Sequence, residues 1–263
     1  MHLVIFGLGY TASRLAERLK ADDWRITATR RAADGANTIA FDSPAVVEAI
    51  ASATHILSSV PPADGIDPVL VRYGAQIAAA PAKWIGYLSS TGVYGDAGGA
   101  WVDEATPIGG GRRSARAAAD LDWQRLDHAR IFRLPGIYGP GRSAIDRVRD
   151  GTAQRIDAPD HFFSRIHVDD IVQAVIASFA RGGSGVYNLA DDAPAPGAAV
   201  IDHACDLLGR AYPPLVAVDA PGVSAMSRAF YAESRRVSAG KMRRELGVRL
   251  LYPDFRAGLR ACL

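Results

Sequence analysis

The first residues able to do chemistry are small ones. Gly7, Gly9 and Ala12 hold the three small positions of a GxGxxA turn that follows the apolar run Leu3–Phe6 directly. Gly7 permits a tight turn, Gly9 lacks the Cβ that would keep a pyrophosphate from the backbone, and Ala12 lets helix and strand pack closely. Tyr10 and Thr11 stand at the start of the helical stretch Thr11–Lys20, whose amphipathic face carries Leu15 and Leu19. Its free N–H groups and positive dipole end attract phosphate. The chemistry is dinucleotide binding.

The position about 20 residues beyond such a turn selects between nicotinamide cofactors, with a carboxylate for the ribose hydroxyl of NAD and arginine for the 2′-phosphate of NADP. Here the second strand ends Thr29-Arg30-Arg31. Two guanidiniums can fork onto a phosphate, so NADP is expected over NAD. Asp42, after the third strand, can accept from the adenine amino group or cap the next helix. Ser59 and Pro135 follow apolar runs at positions where open α/β sheets gather ligands, and both are expected among the cofactor contacts.

The elements that must position these groups alternate. Strands are expected at Leu3–Phe6, Arg25–Thr29, Thr38–Phe41, His55–Val60, Lys83–Ser89 and Ala129–Leu134. Helices are expected at Thr11–Lys20, Ala45–Ser52, Val69–Ala80, Ser114–Leu126 and Ile171–Phe179. This order predicts an α/β, Rossmann-type doubly wound parallel sheet. Residues 1–141 and 161–190 are expected to form the NAD(P)-binding domain. The polar, turn-rich stretch 142–160 and residues 191–263 are expected to form a smaller, discontinuous C-terminal substrate lobe.

Bulk properties narrow the class. A chain of 263 residues with 49% hydrophobic and 22% charged residues has enough apolar material for such a domain and a small lobe. The net charge of +2 is scattered without a block of five like charges, so neither a nucleic-acid nor a membrane surface is expected. Cys205 and Cys262 are isolated and lack metal-ligand spacing, which predicts neither disulfide nor metal. With no leader-like or membrane-length apolar run, a cytoplasmic protein is expected.

Several further segments carry a family resemblance. They are Tyr87-Leu88-Ser89-Ser90-Thr91-Gly92-Val93-Tyr94-Gly95, Trp101-Val102-Asp103-Glu104 through Pro107, Arg133-Leu134-Pro135-Gly136-Ile137-Tyr138-Gly139-Pro140-Gly141, Ile166-His167-Val168-Asp169-Asp170 and Val186-Tyr187-Asn188-Leu189-Ala190. In order and spacing, with Gly7–Ala12, the chain resembles the extended short-chain dehydrogenase/reductases, specifically NAD(P)-dependent epimerase/dehydratase members of the atypical YeeZ-like group. The resemblance implies hydride-transfer chemistry on a small polar metabolite such as a nucleotide sugar, and a homodimer through the helix 114–126. It implies a serine or threonine that bonds the reacting oxygen, a role Ser90 fits.

The family's acid/base tyrosine, and the lysine four residues later that holds the ribose, are absent. Alignment on Ala117-Ala118-Ala119-Asp120 puts Arg112 and Arg116 at those positions. Arg116 can hold ribose or phosphate by charge, but a guanidinium does not release its proton and Arg112 cannot replace a phenol. Tyr138 is a candidate proton donor, and Tyr94, Arg142, Arg165 and His167 are candidates for the substrate side. The loss of the Tyr–Lys pair also admits an alternative function, a non-catalytic NADP(H)-binding sensor.

Overall fold

The computed structural model describes residues 1–34 and 38–263. The first half runs β1 (His2–Phe6), α1 (Tyr10–Lys20), β2 (Arg25–Arg30), β3 (Thr38–Ala40), α2 (Ala45–Ala51), β4 (His55–Ser58), α3 (Pro68–Ala78) and β5 (Trp84–Ser90). Then come β6 (Trp101–Val102), α4 (Ser114–Gln124), β7 (Ala129–Leu134), β8 (Gly136–Tyr138), α5 (Ala144–Arg149), β9 (Arg155–Ile156) and β10 (Arg165–His167). The remainder is α6 (Val168–Ala177), β11 (Gly185–Asn188), α7 (Gly197–Leu208), β12 (Leu215–Val216), α8 (Ala225–Tyr231), β13 (Arg236–Val237), α9 (Gly240–Leu246) and α10 (Phe255–Arg260).

Seven parallel strands make one sheet in the order β11-β7-β5-β4-β1-β2-β3. The direction of strand addition reverses between β1 and β4, and that switch point leaves a crevice above the strand ends. The doubly wound sheet read from the sequence is the sheet observed.

Strand periodicity explains how one sheet serves two layers of helices. On β1, Leu3 and Ile5 join a core with Leu15 and Leu19 of α1 and Ile171 and Val175 of α6. Val4 and Phe6 point the other way, into a core with Val46, Ile50, Val69, Tyr73 and Trp123. Alternate residues of a strand face opposite sides, so a strand buried on both faces must be apolar throughout. A third apolar cluster, with Ile145, Ile201, Phe255 and Leu259, holds α5, α7 and α10 together.

Two element readings need correction. The segment 142–160 contains the helix α5, fixed by a capping box in which Ser143 and Asp146 bond reciprocally. Helix α6 begins at Val168, because the His167 ring accepts from the Asp169 N–H and acts as the cap. No helix of the described residues is long and apolar enough to cross a membrane.

Candidate functional site

Helix α1 starts without a side-chain cap, since its N-cap residue is Gly9. Three consecutive amide groups at that end therefore have no partner within the helix. The two flanking glycines do different work. Gly7 has a φ of +82°, and a Cβ there would lie 2.9 Å from Val60 Cγ2, so backbone geometry and packing both require glycine. Gly9 is extended (φ −89°), and a Cβ there would meet nothing within 4 Å. The empty volume beside Gly9 opens into a cleft of about 630 Å³.

Gly9, Tyr10, Thr11, Ala12, Ser59, Ser90, Arg112, Arg116, Pro135, Arg142 and Arg165 all line this cleft. Tyr10 donates to the Pro140 carbonyl (3.0 Å) and lies under the Arg142 guanidinium (5.6 Å), tying the glycine turn to the loop after β8. This places Arg142, on the wall of the cleft, beside the start of α1. Gly139 allows the contact, because a Cβ there would sit 2.6 Å from Tyr10 Oη and from Val168 Cγ1.

At the end of β2, Arg30 donates to the Leu8 carbonyl (3.3 Å) and pairs with Asp34 (3.3 Å), which holds its guanidinium over the glycine turn. Arg31 is exposed. Asp42 is drawn away: its carboxylate pairs with Arg72 (3.2 Å), and α2 carries no side-chain cap bond.

Ser90 ends β5. Its Oγ accepts from the Gly92 N–H (3.1 Å), so the hydroxyl proton is not committed to that bond. Arg113, unremarked in the sequence, packs against Gly92: a Cβ on that glycine would lie 2.9 Å from Arg113 Nε and 3.3 Å from Ser90 Oγ. A serine hydroxyl and a guanidinium thus flank one point. Arg116 donates to Tyr87 Oη (2.9 Å) and the Leu88 carbonyl (3.4 Å). Burial pushes the Tyr87 phenol up to about 12 although Arg116 pulls the other way, so it stays protonated. Arg112 falls before α4 begins, and Glu233 holds it through the backbone N–H (3.0 Å) and the guanidinium (3.5 Å).

Behind Ser90 lies a buried polar network. Arg133 and Asp120, 3% and 0% exposed as side chains, form a two-pronged pair (3.1 and 2.8 Å). Asp120 also accepts from Ser89 (2.6 Å) and Gln124 (2.7 Å). Arg133 donates to Tyr94 Oη (2.9 Å), which in turn donates to Asn188 (2.8 Å).

That network corrects the sequence assignment of Tyr94, whose ring is buried and whose hydroxyl is used inside the protein. Tyr138 and His167 are corrected too. The Tyr138 hydroxyl points toward the Asp254 carbonyl (3.4 Å) and packs on Gly258, and burial raises its pKa, so it is poorly placed to donate into the cleft. His167 is buried between Tyr138 (5.2 Å) and Tyr252 (4.0 Å), and desolvation lowers its pKa, which favours the neutral cap. All three follow strand ends in the sequence, but the side chains turn inward.

The site also includes residues that carried no sequence signal. Arg147, Arg235, Phe163, Phe230 and Tyr231 join the far wall, and Glu233 is the one carboxylate among the described lining residues. Arginines recur throughout the chain, and no local pattern separates the ones that face the cleft.

A doubly wound sheet whose glycine turn and strand-end serine share one cleft defines a Rossmann-type α/β architecture. No family model matches the chain. It is 30% identical over 215 residues to Protein YeeZ of Escherichia coli K12, covering 71% of this chain and 76% of that protein. A solved protein of unknown function from Silicibacter pomeroyi is 43% identical, with a TM-score of 0.91 over 99% of this chain and 97% of the other. Human epimerase family protein SDR39U1, solved with NADPH, shares the fold with a TM-score of 0.77 at 17% identity, over 99% of this chain and 98% of that one. The chain belongs to the family of Protein YeeZ.

Proposed function

We propose that this chain is an NADP-dependent oxidoreductase or epimerase that acts on a small polar metabolite. The observation that carries the reading is the open space beside Gly9 at the uncapped start of α1, on the same cleft as Ser90. Those residues fit a dinucleotide: the amides of Tyr10, Thr11 and Ala12 would hold the pyrophosphate, Ser59 and Pro135 would flank it, and Arg30 with Arg31 would take the 2′-phosphate. A bound nicotinamide supplies hydride donation and acceptance. The relative solved with NADPH supports a nicotinamide cofactor of this kind.

Within that reading, the Ser90 hydroxyl proton is free to bond a substrate carbonyl or hydroxyl oxygen. Arg113, on the other side of Gly92, stabilises negative charge that develops on that oxygen. Arg116 contributes charge near the ribose from a position fixed by Tyr87. Arg112, held by Glu233, ties the loop before α4 to the segment after α8 and closes that side of the cleft.

The test is a titration of the purified chain with NADPH, followed by NADPH oxidation over a panel of carbonyl substrates and nucleotide sugars. Ser90→Ala is expected to bind NADPH as the wild type does and to lose about 10²-fold or more in kcat, the loss typical of one oxyanion donor. The loss of the Tyr–Lys pair, with Arg112 at the tyrosine's position and held by Glu233, favours a second reading, a sensor that binds NADP(H) without turnover. Wild-type activity that Ser90→Ala abolishes would exclude it.

A further inference from the structure

Besides Tyr10, four aromatic rings line the cleft: Phe162, Phe163, Phe230 and Tyr231. Phe230 is the one tied to the surroundings of Ser90. A Cβ on Gly92 would lie 3.3 Å from Ser90 Oγ and 2.9 Å from Arg113 Nε, and the Arg113 guanidinium stands 5.7 Å from the centre of the Phe230 ring. Arg112 stands 4.9 Å from the same ring. Two guanidiniums hold this phenylalanine, yet it stays 42% exposed. A large apolar ring left open on the wall of a binding cleft is surface for a ligand to cover.

The other rings come from the segment before β10 and from α8. Gly136 lies two residues beyond Leu134, the register partner of Ser90, and donates to the Ser164 carbonyl (3.2 Å). That bond runs Phe162 and Phe163 alongside the strand end. Phe163 meets Tyr231 edge-on (5.1 Å, 90°), and the His161 ring packs on both (4.5 and 5.0 Å). Desolvation lowers the His161 pKa, which keeps this supporting ring uncharged at neutral pH. Arg236 lies over Phe162 (4.0 Å). Rings fixed by one another and by guanidiniums cost a ligand little ordering entropy.

The geometry points to an arene-stacking subsite, formed by Phe230 with Phe162, Phe163 and Tyr231, that takes a planar aromatic group bonded directly to the carbonyl held by Ser90. The substrate class is then an aryl ketone or aldehyde. Aromatic rings pair offset or edge-on, and such pairs add affinity beyond the area they bury. A carbonyl conjugated to an arene lies in the plane of the ring, so the plane set at Phe230 is also the plane of the oxygen that Ser90 and Arg113 address. A sugar would need acceptors for its hydroxyl protons. Among the described lining residues the carboxylate and amide side chains are Glu233 and Gln154. Glu233 is held by Arg112 (3.5 Å) and Arg235 (3.2 Å), and Gln154 is turned to the Gly222 carbonyl (3.1 Å).

This inference rests on the oxidoreductase reading and narrows its metabolite to one whose polar group is attached to an arene, but its test needs no turnover. Acetophenone and cyclohexyl methyl ketone, which differ in the planarity of the ring, are titrated by calorimetry into the full chain, alone and with NADP+, with UDP-glucose as a third ligand. Acetophenone is expected to bind about 3- to 10-fold more tightly than the cyclohexyl ketone, the gain of an aromatic pair. Phe230→Leu keeps an apolar side chain without the ring and should erase that preference. No residue of α8 is buried, so the variant should keep the wild-type urea midpoint. Failure of both ketones to bind, equal affinity for the two, a preference that survives Phe230→Leu, or binding of UDP-glucose in place of either ketone would each overturn the subsite. A chain that prefers acetophenone but binds neither NADP+ nor NADPH would instead overturn the cofactor reading and leave the subsite standing.

Discussion

Removing the Asp120 carboxylate by Asp120→Ala tests whether the buried network behind Ser90 holds the site. The carboxylate accepts bonds from Ser89 (2.6 Å), Gln124 (2.7 Å) and two nitrogens of Arg133 (3.1 and 2.8 Å). Without it, Arg133 keeps only Tyr94 as a side-chain partner (2.9 Å) while its own side chain is 3% exposed. An uncompensated buried charge costs about 3–5 kcal/mol, a large share of a typical domain's 5–15 kcal/mol. Urea unfolding followed by tryptophan fluorescence reads the loss as a lower midpoint at unchanged slope. Asp120→Ala combined with Arg133→Leu removes the stranded charge and should recover at least half of it. A single-variant loss under about 1 kcal/mol, the range of exposed ion pairs, would refute the reasoning.

Gly7→Ala should lower stability by about 1–3 kcal/mol, through the positive φ and the Val60 contact; an unchanged urea midpoint would count against that role. Arg30→Gln should weaken NADPH by about 10-fold and spare NADH, since it removes a charged bond to the 2′-phosphate alone; equal losses for both would remove Arg30 from cofactor selection. Burial raises Asp191 to about 7. Between about pH 4 and 7 the folded chain therefore holds a proton that the unfolded chain releases, and this stabilising contribution falls as pH rises. Asp191→Asn cannot titrate, so its stability relative to wild type should rise by a few kcal/mol from pH 4 to 8; a flat difference would contradict the burial argument.

The sheet was legible because its strands carry their own period and their turns carry glycine. Leu3–Phe6 and Gly7–Ala12 read as strand, turn and helix from residue types and spacing alone, and Ala129–Leu134 matches β7 to the residue. Less legible was whatever depends on side-chain direction. Tyr94, Tyr138 and His167 sit beside strand ends, yet a turn of the backbone sends each inward to Arg133, Gly258 or a helix cap. Histidine is an uncommon cap, so α6 reads three residues short at its start. The α5 helix did have a signal, Ser143 three residues before the acid Asp146, hidden in a polar stretch. The far wall of the cleft had none: Arg147, Phe230 and Tyr231 come to line one cleft only after α5 and α8 fold over the sheet.

Gly9 offers the most direct test of the dinucleotide site. Its backbone is extended (φ −89°, ψ −171°), and a Cβ would meet no atom within 4 Å, so Gly9→Val fills ligand space without crowding the protein. The variant should keep its urea stability to within about 1 kcal/mol, the scale of an altered N-cap, while calorimetric NADPH binding disappears. Wild-type-like NADPH affinity in Gly9→Val, or a wild-type chain that binds neither NADPH nor NADH, would contradict the account.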